Sequence, residues 1–338
     1  MRLYRGMVAV AVVSLAAVCT AQNYHVADHW KLAGQGGWDY LLSDDGAHRL
    51  YITHNSRVEV VDTTTGKPVG AITGLKSTHG VALNPDGKTG YISDGAGNAI
   101  VVFNRADFSV QATVPAGTNP DGITFEPATK TVWAFNGRSK NVSVLDTSSN
   151  AVVATIDLPG KPEFPQADGK GSVFDNIEDK NEIVKLDAAS HKVVAVWPLT
   201  GCESPSGMAI DRNKHRLFSV CDGGKMAVVD YESGKVLGLA AIGDSPDAAG
   251  FDPKNGLAFS SNGGDGTLTV VNPGKDGFPV LQTVSTEKGA RTMALDTETG
   301  RIYLVTAQFG PAPAPTEAMP HPRHSIVPDT FEIIVVER

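Results

Sequence analysis

Residues Ser139–Thr155 read SKNVSVLDTSSNAVVAT, and near copies stand at Ser56–Ile72, SRVEVVDTTTGKPVGAI, and at Gly224–Ala240, GKMAVVDYESGKVLGLA. In each, apolar residues alternate up to an aspartate, a short polar turn follows, and a second apolar run leads away. Alternation with period two marks a half-buried β-strand, and a polar break between two such runs marks a hairpin turn.

A second landmark accompanies the first: HGVALNPDG from His79, DGITFEPAT from Asp121, SGMAIDRNK from Ser206, DAAGFDPKN from Asp247 and RTMALDTET from Arg291. The second residue of each gives markers at Gly80, Gly122, Gly207, Ala248 and Thr292, with Tyr40 and Phe164 as weaker equivalents, at intervals of 40, 42, 42, 43, 41 and 44 residues. A near-constant period of this length means repeated structural units. Within one period the order is GITFE, turn, TVWAFN, loop, VSVLD, turn, AVVATIDL. Four short strands per repeat make a propeller blade; a helical solenoid would show 3.6-residue spacing instead.

Seven markers predict an all-β, seven-bladed propeller of four antiparallel strands per blade. The last period holds only three strands, RTMALD, RIYLVTAQ and FEIIVVER, while YHVADHWKLAG stands unassigned near the start. That N-terminal strand is therefore expected to complete the seventh blade from outside and remove an exposed edge. In the fourth period, PEFPQADGKGSVFDNIEDKNEIVKLD, the first strand is expected to be short and interrupted by Pro165, which lacks a ladder donor.

Composition agrees with such a fold. Hydrophobic residues are 41% and charged residues 20% of 338, and 36 glycines with 20 prolines supply many tight turns. At the N-terminus, Arg2 and Arg5 precede an apolar run from Met7 to Val18 and then Cys19-Thr20-Ala21. This reads as a signal peptide over 1–21 cut after Ala21, with a lipoprotein cut before Cys19 as the alternative. The run is too short to span a bilayer, for which about 20 residues are needed. The protein is thus expected to be periplasmic or secreted, with the propeller over 22–338.

Loss of two arginines leaves 27 basic against 37 acidic side chains. With no basic stripe, nucleic acid is excluded as a partner, since phosphate contacts need clustered Lys and Arg. After cleavage only Cys202 and Cys221 remain. Export makes a disulfide the default reading, and free thiols or soft-metal ligation the alternatives.

The units ending V-x-V-x-D before a T-G-K-V-like turn, and opening G-x-A-x-D-P, resemble the YVTN-type, YncE-like family of exported bacterial seven-bladed propellers over residues 24–338. The resemblance implies an exported propeller and supplies no catalytic motif, so function has to come from a site.

In a propeller the loops entering the innermost strands and those joining second to third strands open on one face around the channel. The residues just before the markers form a first ring: Asp39, His79, Asp121, Glu163, Ser206, Asp247 and Arg291. The ends of the second strands form a second: His54 and Asn55, Asp94, Asn136, Asn176, Cys221, Asn262 and Gln308. Converging carboxylates and amide oxygens are what Ca²⁺ or Mg²⁺ requires. The opposing reading is turn chemistry, because Asp and Asn side chains bond nearby backbone whether or not a metal is present. Arg291 is placed either to neutralise Asp39 or Asp247 or to clamp a ligand carboxylate or phosphate.

The insertion FGPAPAPTEAMPHPRHSIVPDT, 309–330, falls in the seventh blade on the same face, where its alternating prolines make it a stiff lid or partner contact. Its Met319, His321 and His324 read as exposed loop residues or, less economically, as soft-metal ligands. Four tryptophans at unmatched repeat positions, Trp30, Trp38, Trp133 and Trp197, exclude a quinone-cofactor propeller, and no Gly-x-Ser-x-Gly elbow, phosphate loop or Cys-x-x-Cys-His is present.

The expectation is a monomeric binding protein taking a small ligand, glycan or protein partner on the channel face, with Asp39, His79, Asp121, Glu163, Asp247 and Arg291 as binding residues. The alternative is a metal-dependent hydrolase or lactonase with Glu163, Asp121, Asp247 and Asn176 as ligands and His79 as general base.

Overall fold

The repeated aspartate of the V-x-V-x-D units explains why every unit turns where it does. Asp146 Oδ1 accepts hydrogen bonds from the backbone N–H groups of Ser148 and Ser149, and Asp62, Asp187 and Asp230 do the same for Thr65, Ser190 and Ser233. A side-chain acceptor at the end of the third strand thus closes the hairpin to the fourth.

In the computed structural model, which describes residues 23–312 and 324–338, these hairpins assemble into seven four-stranded antiparallel sheets. The expected signal peptide lies outside the described residues, as do Met319 and His321. Among the described residues no helix is long and apolar enough to cross a membrane. The innermost strands are Trp38–Asp44, Thr78–Leu83, Pro120–Glu126, Pro162–Ala167, Glu203–Asp211, Pro246–Asp252 and Met293–Leu295.

The seventh blade runs Met293–Leu295, Ile302–Thr306, Glu332–Glu337 and, outermost, His25–Lys31. His25 pairs with Glu337 and Lys31 with Glu332, so the N-terminal strand closes the ring as the repeat count requires.

Packing is between blades rather than around one centre. Trp133, Phe135, Val142 and Val144 of the third blade, for example, interdigitate with Val173, Val184 and Leu186 of the fourth. The small markers have a matching reason: a Cβ on Gly207 would stand 2.6 Å from Ala248 Cα in the next inner strand. Only glycine lets the two backbones come that close.

Pro165 does not interrupt the fourth blade. Pro162–Ala167 is six residues long, like Thr78–Leu83, and Pro165 sits in the register irregularity between Glu163 and Gln166. Similar irregularities open the inner strands at Pro120/Ile123 and Thr78/Val81. No ladder bond is due there, so the missing N–H costs nothing.

Candidate functional site: one mouth of the channel

Each ring residue is carried at the start of an inner strand, and a repeated side chain holds it in place. Thr53 Oγ1 donates to the carbonyl of His79 (2.8 Å), Ser93 Oγ to that of Asp121, and Ser261 Oγ to that of Arg291. In every case a second-strand residue of one blade clasps the ring residue of the next. Asn176 holds the same register and donates to the carbonyl of Ser206 at 2.6 Å.

This corrects the expected role of Asn176 as a metal ligand. It is fully buried, its Nδ2 is committed to Ser206, and its Oδ1 accepts from Ser219 Oγ at 2.8 Å. The residue that aligns with Asn136 and Asn262 is Ile177, one place further on. Three further members of the second ring brace loops and strand ends. Asp94 accepts from the N–H of Lys76 and Ser77, Asn136 donates to Asn141 and Ser143, and Asn262 donates to Thr267 and Thr269. Of the two readings of these positions, turn chemistry accounts for them.

The first ring divides into three groups. In the first, His79 Nδ1 lies 2.6 Å from Asp39 Oδ2 and 3.5 Å from Asp121 Oδ1. One ligating atom from each of the three residues lies within 4.8 Å of the others. In the second, Lys161 Nζ bridges Glu163 at 2.7 Å and Glu178, while Tyr40 OH donates to Glu163 Oε2 at 3.4 Å. In the third, Arg291 Nε pairs with Asp247 at 2.6 Å, and the same guanidinium donates to Trp38 O and lies over the Trp38 ring. Arg291 therefore neutralises Asp247 rather than standing free, and Ser206, whose Oγ donates to Pro246 O, takes no part.

Burial and charge set the protonation of these groups. Burial lowers the pKa of His79, but the hydrogen bond to Asp39 and the charges of Asp121, Asp39 and Glu163 outweigh it and push it up to about 9. Asp121 is raised well above the carboxylate range, first by burial and then by Asp39 beside it. Glu163 is raised to about 7 by burial against the pull of Lys161, and Asp247 to about 6 by burial against Arg291. An imidazolium at neutral pH has no lone pair with which to accept a proton. In that state His79 pairs with Asp39 and Asp121 as a cation, and the expected general-base role belongs to its neutral form.

Four participants were not singled out from the sequence as site residues, two of them, Tyr40 and Phe164, having been read only as repeat markers. Lys161 is the only charged residue among those two places before the ring, the others being Gly37, Ser77, Asn119, Ser204, Ser245 and Gly289. Tyr40 and Phe164 are the only aromatic markers, and their rings meet edge-to-face at 4.6 Å across the channel. Asp175 is fully buried, makes no hydrogen bond of normal geometry through either oxygen, and is raised well above the carboxylate range by burial and by Glu163.

The stem of the 309–330 insertion stands beside this mouth. Phe309 faces Ile326 in an isolated bridge and packs on Trp38 at 6.1 Å, and His324 Nδ1 is 2.8 Å from Gly310 O. Cys202 and Cys221 are buried and paired as a disulfide with Cα atoms 5.4 Å apart, in the loop entering the fifth blade and the end of its second strand.

Blade count and closure together define a seven-bladed β-propeller, a fold that hosts many unrelated functions. No protein-family model matches the chain, and no curated protein matches it. Among solved structures it is similar to hydrazine synthase of Kuenenia stuttgartiensis, with a TM-score of 0.68 and 17% identity over 80% of this chain and 92% of that one. It is also similar to U3-55K, with a TM-score of 0.74 and 11% identity over 93% of this chain and 98% of that one. At such identities the likeness concerns the fold alone.

Proposed function

We propose that the protein is a binding module whose recognition surface is the channel mouth ringed by Asp39, His79, Asp121, Glu163, Asp247 and Arg291. Its ligand is a small molecule carrying positive charge or several hydroxyl donors. One observation carries this reading: five carboxyls, those of Asp39, Asp121, Glu163, Glu178 and Asp247, meet only three cationic groups, His79, Lys161 and Arg291. With the carboxyls of Asp121 and Glu163 raised, the surplus at the mouth is acceptor capacity rather than charge, which a donor-rich ligand would satisfy. The repeat motif supports membership of the YVTN-type family. The Cys202–Cys221 pair supports work as an exported, periplasmic or secreted protein.

A second reading rests on a different observation, the convergence of Asp39, His79 and Asp121 within 4.8 Å. Two carboxylates and one imidazole suit a divalent transition metal better than the all-oxygen Ca²⁺ or Mg²⁺ shell expected from the ring. This set replaces Glu163, Asp247 and Asn176, which are committed to Lys161, Arg291 and Ser206. With such a metal the mouth becomes a hydrolase or lactonase site in which His79 is a ligand.

The test is the thermal midpoint of the signal-free protein against polyamines, oligosaccharides and divalent cations, beside Asp121→Asn. A ligand at about 100 times its Kd stabilises by about 2.7 kcal/mol, which is about 4 °C for a chain of this size. A shift with polyamine or glycan that Asp121→Asn weakens supports the first reading, and a shift with one transition metal alone supports the second. No shift from any of them refutes both.

A further inference from the structure

The channel has a second end. A cavity of about 740 Å³ runs along the inner strands of the first four blades, from the Tyr40 and Phe164 rings to the turns bearing Asp44–Ala47 and Asn84–Gly87. Those turns join first to second strands, at the opposite end of each inner strand from the ring residues. The cavity therefore opens on the face away from the acidic mouth, and the Tyr40–Phe164 contact separates the two.

Its walls differ in kind from the acidic mouth. Leu42, Ala82, Leu83, Ile123 and Phe125 line it. The charged groups at its rim already have partners. Arg105 pairs with Asp44, both side chains only 11% exposed, and donates to Asn84 O. Asp45 accepts from Ser43 Oγ, from Thr297 N and from Thr297 Oγ1. Deeper in, Gln166 is bonded to Met208 O, and Thr124, Ser43 and Asn84 are further uncharged polar groups among the lining residues. Pockets of about 300–1,000 Å³ with mostly apolar walls hold drug-sized molecules, and a rim whose charges are already paired offers nothing to an ion.

We propose that this half of the channel is a second ligand site, for an uncharged, mostly apolar small molecule such as an aromatic ring system. It is independent of the acidic-mouth reading, and each can fail without the other.

The probe is N-phenyl-1-naphthylamine, uncharged and fluorescent in apolar surroundings, titrated into the signal-free protein. Saturable enhancement is expected. Thr124→Trp and Leu42→Trp, which fill the lumen from different walls, are each expected to weaken binding at least tenfold, while Asp121→Asn on the far mouth leaves it within twofold. Circular dichroism checks that each variant is folded. On the unmodified protein the probe should slow amide exchange at residues 80–88 and 122–126. Absence of saturable binding, equal binding to both filled variants, or protection confined to the outer strands that expose Val153 and Val194 overturns the proposal.

Discussion

His79 offers the sharpest test of the electrostatics at the acidic mouth. Its pKa is pushed from 6.5 up to about 9 in the fold, so between those values the native state holds a proton that the unfolded chain has released. Its contribution to stability is therefore complete below pH 6.5 and is lost as pH rises through 9. A difference of about 2.5 units at about 1.36 kcal/mol each is worth about 3 kcal/mol, reduced toward 2 by water reaching the 21% exposed side chain. Glu163 and Asp247, raised to about 7 and about 6, lose their share at lower pH, and the comparison with a His79 variant separates its share from those of the raised carboxyls of Asp121 and Asp175. The assay is urea unfolding at half-unit steps from pH 6 to 9.5, for the wild type and His79→Gln, with the imidazole followed by NMR. The wild type should lose about 2–3 kcal/mol more than the variant across that interval. Parallel curves, or an imidazole titrating near 6.5, would refute the pairing with Asp39 and Asp121 and reinstate His79 as a base.

Three further outcomes follow from the packing. Ser93→Ala removes the clasp on the Asp121 carbonyl and the acceptor for Gly80 N–H, and should cost about 1–3 kcal/mol by urea denaturation, with the effect concentrated in the second and third blades by hydrogen exchange. Gly207→Ala sets a Cβ against the Ala248 backbone at 2.6 Å and should cost about 1–3 kcal/mol, because a strand backbone cannot yield as a side chain does. Reducing Cys202–Cys221, or replacing both with Ser, reopens a loop of sequence separation 19 and should lower stability by about 3 kcal/mol, read as a shift in denaturant midpoint with unchanged slope.

The blades, their number and the closure by the N-terminal strand were legible because each depends on local pattern. Alternation, turn residues and a three-stranded last period are written along the chain. Ring membership was legible for the same reason, as one position repeated seven times. Partners around the ring were legible only in part: Arg291 was expected against Asp39 or Asp247 and meets Asp247, whereas the meeting of His79 with Asp39, 40 residues away, comes from the curvature of the ring. Asn176 was misread through a slip of one residue in the fourth blade, and in a strand such a slip exchanges one face for the other. Asp94, Asn136 and Asn262 carry the residue types of a cation shell yet spend them on loop N–H and hydroxyl groups nearby. Composition alone does not separate those uses.

A seven-fold scaffold identifies its functional sector by departures from its own repeat. Register by register, the fourth blade departs most: Lys161 stands where other blades have Gly, Ser or Asn, Phe164 where most have Gly, Ala or Thr, and Asp175 where others have Ala134, Ser219 and Ser260. All three lie around Glu163, which also receives the hydroxyl of Tyr40, the other large marker. The sheet requires none of them, since six blades close without them, and an unpartnered buried carboxyl such as Asp175 weakens a fold. Residues that cost stability and share one corner of the channel are the ones that the proposed binding role accounts for and the fold does not.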